Sequence, residues 1–227
     1  MYEYITSVLI SLAIWVALFL CRKDLRTKMI FSSMLCTPIG LTEPLFVPNY
    51  WNPNAVLGFS LLGMSFDVES LIFSFVIGGW ASVLYEEALN KHLRKARETR
   101  QESKRHFIMV LIVVLVSTGA FSLYFGNNVI YSGTIAMAIG AAAIVIMRKD
   151  LARETIYGGL LFLMTYSLWL FVINTFFFPN WVEQAWNLDN LSGILLLGIP
   201  LEESLFALAF GSLWAPIYET AKGQAVS

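Results

Sequence analysis

Residues 22–25 read Arg22, Lys23, Asp24, Leu25, and residues 148–151 read Arg148, Lys149, Asp150, Leu151; each tetrad follows directly on an apolar stretch. Working outward from these tetrads, three more matches recur in the same order. Phe46, Val47, Pro48, Asn49, Tyr50, Trp51 is answered by Phe177, Phe178, Pro179, Asn180, Trp181. Glu69, Ser70, Leu71 is answered by Glu203, Ser204, Leu205, and Trp80, Ala81 with Tyr85, Glu86 by Trp214, Ala215 with Tyr218, Glu219. The offsets grow from 126 to 131 to 134, so the insertions fall in loops and helix ends, where a duplicated unit tolerates them.

The duplicated units are membrane-like in composition. Of 227 residues, 57% are hydrophobic and 14% charged, and the mean hydropathy is +0.67, values outside those of a soluble domain. A net charge of −1 argues against nucleic acid as a partner, because a phosphate backbone calls for a basic surface. Apolar stretches long enough to cross a hydrocarbon layer of ~30 Å at ~20 helical residues each occur at 4–20, 28–45, 57–85, 107–125, 130–147, 154–178 and 191–218. The connections 21–28, 90–106 and 148–153 and the tail after 219 hold all fifteen Lys and Arg, Lys28 and Arg97 among them, whereas 46–56, 126–129 and 179–190 hold none. By the positive-inside rule the N-terminus lies outside and the C-terminus in the cytosol.

The expected fold is an all-α, multi-pass cell-membrane protein of seven transmembrane helices in a parallel 3+1+3 tandem repeat. Residues 1–90 form the first three-helix repeat, 91–129 the basic cytoplasmic segment and linker helix 4, and 130–227 the second repeat. The first apolar segment lacks a basic region before it and reads as a retained helix. Residues 91–105 read as a topology signal and an extension of helix 3. Neither Cys21 nor Cys36 sits where a structural disulfide is expected.

Acidic residues inside apolar segments are the candidate site. A helix 7 beginning near Asn190 puts Glu202 and Glu203 about twelve residues in, roughly 18 Å along the helix and near the bilayer middle. Glu69 in helix 3 is comparable, and Glu43, ahead of Pro44 in helix 2, lies nearer the outer side. On a regular helix Asp67 faces nearly opposite to Glu69, and Pro200 is expected to kink helix 7. With no Lys or Arg in any helix centre, these carboxyls lack a cationic partner, and a protonated one among them is a general acid. The alternative is that they hydrogen-bond between helices and hold the bundle together.

Aromatic residues accompany the acids. Trp80 follows Glu69, and Trp214 follows Glu203, by eleven residues, close to three turns, so each shares its acid's face. Phe73, Phe206 and Phe210 extend these stripes, and Trp169 in helix 6 joins them as a candidate substrate contact; aromatic faces stabilise cations, although helix packing and interfacial belts use the same residues. Trp51, Trp181 and Trp186 read as anchors of the outer belt. No glycine-rich dinucleotide fingerprint, Walker loop or Cys/His cluster is present, so neither cofactor nor metal is expected. Helix 7 offers no lysine for a retinal Schiff base.

Gly198, Ile199, Pro200, Leu201, Glu202, Glu203, Ser204, Leu205, Phe206, closing the second of two three-helix repeats, resembles the integral-membrane lycopene cyclase domain family. The resemblance covers nearly the whole chain. It implies a non-redox isomerase that converts the acyclic ends of lycopene, or a related carotenoid, to ionone rings, with Glu202, Glu203 and Glu69 as essential carboxylates. The first repeat reads Phe66, Asp67, Val68, Glu69 and matches only the last acid of the family's Pro-x-Glu-Glu pattern. The chemistry needs an acid to protonate a terminal double bond, a dry site, and a base to remove a ring proton. Glu203 is the expected acid, with Glu69 and Glu202 as base or cation-stabilising partners and Glu43 nearby. Expected partners are the carotenoid, membrane lipid and other enzymes of carotenoid biosynthesis. The rival readings are a small-solute transporter of 3+1+3 topology and a non-catalytic carotenoid-binding membrane protein; a prenyl transferase is disfavoured by the lack of an Asp-rich motif.

Overall fold

The computed structural model describes residues 2–61, 63–96, 98–126 and 128–227; Arg97 of the basic segment and Asn127 of the expected outer loop lie outside them. The helices are α1 (Glu3–Cys21), α2 (Arg26–Cys36), α3 (Val68–Leu89), α4 (Arg100–Phe125), α5 (Val129–Met147), α6 (Ala152–Val172), α7 (Trp181–Ala185), α8 (Leu201–Trp214) and α9 (Ile217–Lys222). Short strands are β1 (Gly58–Leu61), β2 (Met64–Asp67), β3 (Leu93–Lys95), β4 (Leu195–Leu196), β5 (Ile199–Pro200) and β6 (Gln224–Val226), paired antiparallel as β1 with β2, β3 with β6 and β4 with β5.

The two quoted tetrads build the same corner. Lys23–Leu25 and Lys149–Leu151 are 3-10 turns whose leucines are fully buried. Arg22 donates to both oxygens of Asp24 at 3.0 and 2.9 Å, and Arg148 to both oxygens of Asp150 at 2.9 and 2.8 Å. Each guanidinium also reaches one carbonyl inside a later helix and one just past it: Arg22 those of Glu86 and Lys91, Arg148 those of Glu219 and Gln224. A planar fork with five donors can hold a carboxylate and terminal carbonyls together.

Five helices are long and apolar enough to cross a membrane: Glu3–Cys21, Val68–Leu89, Arg100–Phe125, Val129–Met147 and Lys149–Phe177. The other two expected spans are interrupted. Residues 28–45 are α-helical only to Cys36 and continue as the 3-10 helix Thr37–Leu45, which contains Pro38, Gly40 and Pro44. Residues 191–194 are irregular, with Gly193 at positive φ, and 195–200 form the β4–β5 hairpin with Gly198 at positive φ in its turn, so α8 begins only at Leu201. Gly58–Leu61 and Met64–Asp67 likewise pair as a hairpin before α3, with Gly63 at φ +79°. Apolar composition is common to helix and hairpin; glycine in the left-handed region decides for the hairpin. Pro200 therefore ends the entry to α8, where its missing N–H costs nothing, instead of kinking a helix. The basic segment does not extend helix 3: Asn90 closes α3 in the left-handed conformation, and β3 then pairs with β6.

Helix α3 is the buried axis, packed by α1, α2, α6 and α8, whereas α4 rests on α5 and α9 with most of its apolar surface outward. Close approach is set by small residues: a Cβ on Gly78 would stand 2.4 Å from Cys36 Cβ, and one on Gly159 2.0 Å from Ser212 Oγ. Helices in lipid associate through such contacts, because apolar burial alone distinguishes little between lipid and protein.

Candidate active site

Late helix starts move the acids from the expected mid-helix depth to helix N-termini. Asp67 is the N-cap of α3 and accepts from Ser70 N at 2.5 Å, so it does not lie on the helix face opposite Glu69. Glu69 and Glu202 are each the second residue of their helix. They make the same kind of bond: Glu69 Oε1 accepts the amides of Val56 and Leu57 at 2.7 and 3.0 Å, and Glu202 Oε1 accepts Ser192 N at 2.7 Å and Tyr131 Oη at 2.6 Å. Both carboxylates hold the loop preceding their helix. Glu69 thus stands structurally with Glu202, and Glu203 stands opposite Ser70.

Glu203 is the point where the two halves meet. Its Oε1 accepts from Tyr50 Oη and from Trp186 Nε1, the latter at 2.9 Å, and its Oε2 accepts from Tyr166 Oη at 2.8 Å. Three donors converging on two oxygens suit a carboxylate acting purely as acceptor. Tyr50 is placed by a bridge between loops: Trp51 pairs with Trp186, Asn52 N donates to Ala185 O at 2.6 Å, and Asn187 N donates to Tyr50 O at 2.9 Å. Trp186 and Trp181 are buried and so are not the lipid-facing anchors expected of them; one of them is a ligand of the central acid.

From Glu203 an aromatic file runs through the bundle. Tyr166 packs on Phe162, Trp169 and Phe206; Phe162 packs on Trp80 and Phe210; Phe210 stacks on Trp214 with ring centroids 5.0 Å apart; Trp169 stacks on Phe73. The six aromatics expected as substrate contacts, Phe73, Trp80, Trp169, Phe206, Phe210 and Trp214, are therefore one connected cluster, most of it buried in the core. On the other side of the Trp51–Trp186 pair lies Glu43. Its carboxyl reaches Ser70 and Trp51, and its Oε1 is shielded from solvent with no hydrogen-bond partner. Among the described residues no ion pair is made by Glu43, Glu69, Glu202 or Glu203.

A protein-family model described as lycopene cyclase matches residues 2–88 and 128–221. The chain belongs to the lycopene cyclase family. No curated relative and no solved structure matched it. The family implies an enzyme of carotenoid biosynthesis with a carotenoid as substrate, and the five apolar helices imply membrane association.

Sequence reasoning missed three parts of this cyclase-family chain. Tyr50, Tyr166 and Trp186 were hidden because a hydrogen-bond donor has no sequence signature at a separation of 153 residues, as between Tyr50 and Glu203; the only pointer was the recurring Pro-Asn-aromatic run holding Tyr50. Tyr131, on an otherwise apolar helix, gave no signal. Lys28 is not a solvated loop residue: its ammonium is fully buried, 2.6 Å from Glu86, 2.8 Å from Glu154 and 2.9 Å from Glu219. The oxygens of those three acids lie within 4.8 Å of one another, a spacing that suits a cation, and the Lys28 ammonium supplies it.

Proposed function

We propose that this protein is a carotenoid cyclase that closes the acyclic ends of lycopene, or of a related carotenoid, into ionone rings by a non-redox, proton-initiated reaction. The observation that carries the reading is Glu203, buried and held by Tyr50, Tyr166 and Trp186 at the head of a continuous aromatic file. Family membership supports it. A carboxyl group transfers its proton to the terminal double bond, whose electron pair forms the new C–H bond and leaves a tertiary cation. The neighbouring alkene supplies its pair to the ring-closing C–C bond, and a carboxylate removes a ring proton to restore a double bond. The cation forms among Trp and Tyr faces and anionic oxygen, which lower its energy.

In this reading α2 with its 3-10 continuation, and α8 with α9, complete seven crossings of a parallel 3+1+3 repeat with the N-terminus outside. The two stretches matched by the family model fall on the two proposed repeats. Glu69 and Glu202 hold the loops that enclose the site and add negative charge beside it. A hydrocarbon substrate enters sideways from the bilayer, and the aromatic surroundings suit it better than they suit the solute of a transporter.

The test is expression in a lycopene-accumulating bacterium with chromatography of the pigments. Conversion to a mono- or bicyclic carotene, strongly slowed in Glu203→Gln at equal membrane abundance, is the expected result. Untouched lycopene and untouched related acyclic carotenoids, with abundant folded protein, would overturn the reading.

A further inference from the structure

Two carboxyl groups, the half-buried Glu43 and the buried Glu203, flank the Trp51–Trp186 pair, and their surroundings differ. Glu203 receives three donors and has no oxygen left over. One of those donors, the Trp186 indole N–H, cannot act as an acceptor, so a protonated Glu203 would lose the best of this arrangement. Glu43 is less fully bonded: its carboxyl reaches Ser70 and Trp51, and its Oε1, like one oxygen each of Glu69 and Glu202, is shielded from solvent and unpartnered. The position that answers Glu43 in the second repeat, by the offset of 131 between Phe46 and Phe177, is Asn174. Its Oδ1 accepts Val182 N at 2.9 Å, and an amide cannot serve as an acid. The acid of this pair therefore exists in one half only.

Resting on the cyclase reading, we infer that Glu43 is the proton donor and Glu203 the proton acceptor of a single reaction centre assembled from both repeats. The sequence alone suggested Glu203 as acid; its three donors argue for the reverse. The Glu43 O–H bond breaks as the new C–H bond forms at the inner carbon of the terminal double bond, and after ring closure a ring C–H pair becomes the new double bond while its proton passes to Glu203. One turnover leaves the proton on the wrong carboxyl, and the reaction has no net proton change. A return path is present in outline. Two segments of it are hydrogen-bonded: Glu203 accepts from Tyr166 Oη, and Tyr4 Oη lies 2.7 Å from Ser70 Oγ, which reaches Glu43.

The experiment is infrared difference spectroscopy of the full chain in lipid nanodiscs at neutral pH, reading the C=O stretch of protonated carboxyls. The expected result is that Glu43→Gln loses a component of this band that Glu203→Gln keeps, with Glu43→Asp shifting the component without removing it. Loss in Glu203→Gln but not in Glu43→Gln overturns the assignment, as does loss in both or in neither. Equal gel-filtration behaviour of the variants shows that they are folded. The spectra do not depend on turnover, so a native protein that converts no carotenoid sinks the cyclase reading while leaving the protonation result to stand or fall alone. In the pigment assay Glu43→Gln forms no ring, whereas Glu203→Gln forms rings slowly with displaced double bonds. Tyr4→Phe slows turnover on the order of 10²-fold with unchanged product and unchanged band; an unaffected rate rules out the return path.

Discussion

Lys28 Nζ and Glu154 Oε1 lie 2.8 Å apart although 126 residues separate them, the same interval that separates the two Arg-Lys-Asp-Leu tetrads. The residue that follows each tetrad by three is thus a lysine in one half and a glutamate in the other, and the two pair in the interior. Glu86 and Glu219, whose carbonyls the tetrad arginines hold, complete the cluster around the ammonium.

Removing the cation leaves three buried carboxyls facing one another. Lys28→Met is expected to cost about 3–5 kcal/mol, the range for breaking a buried pair from one side. Thermal unfolding in detergent should show a markedly lower midpoint, with partial recovery in Lys28→Met combined with Glu154→Met, which removes one of the stranded acids. An unchanged midpoint in the single variant would show that the cluster contributes nothing to stability.

The first corner adds a pH dependence. The Arg22 guanidinium, aided by His92, holds the Asp24 carboxyl down at about 2. A depressed carboxyl stabilises the fold above its unfolded value, ~3.9, and loses that contribution as the pH falls through the folded value. Native protein and Asp24→Asn should therefore differ most at neutral pH and converge between about pH 4 and 2. Because the side chain is 43% exposed, solvent screening keeps the difference to about 1 kcal/mol or less. Unfolding midpoints across that window check both the sign and the size.

Glu203 depends on donors from distant segments. Each of Tyr50→Phe and Tyr166→Phe removes one hydrogen bond to a charged group, worth about 1.5–3 kcal/mol. Ring formation should fall roughly 10–100-fold in each, at unchanged protein level, in the lycopene-accumulating strain. Variants that cyclise at the native rate would remove these tyrosines from the site.

Packing of α6 against α8 leaves no room at Gly159, where an added Cβ would lie 2.0 Å from Ser212 Oγ and 3.0 Å from the Leu208 carbonyl. Gly159→Val should destabilise by about 1–3 kcal/mol through overpacking. Since Tyr166 stands two turns further along α6, it should also loosen Glu203 and lower ring formation. Gly119→Val, on the outer helix α4 with nothing within 4 Å of its Cβ position, is the control and should leave both readouts unchanged.

Composition and charge distribution were enough to place the chain in a membrane, because a hydrocarbon solvent imposes long apolar segments whatever the fold. The recurring tetrads were legible because a corner of Arg, Asp and buried Leu is made by local geometry, and the same local sequence makes it twice. Glu43, Glu69, Glu202 and Glu203 stood out because acids in apolar runs are rare, and the aromatic stripes followed from helical spacing. Tertiary structure decided the rest. An apolar run reads the same as helix or hairpin, so the starts of α3 and α8, and with them the depth of three acids, depended on how 58–67 and 195–200 fold back. Counting basic residues assigns Lys28 to the cytosol, but a long side chain at a helix start can turn inward when acids from three other helices converge there. The donors around Glu203 come from loops and helices far apart in sequence, and no local pattern specifies a hydrogen bond that exists only once the two halves have closed on each other.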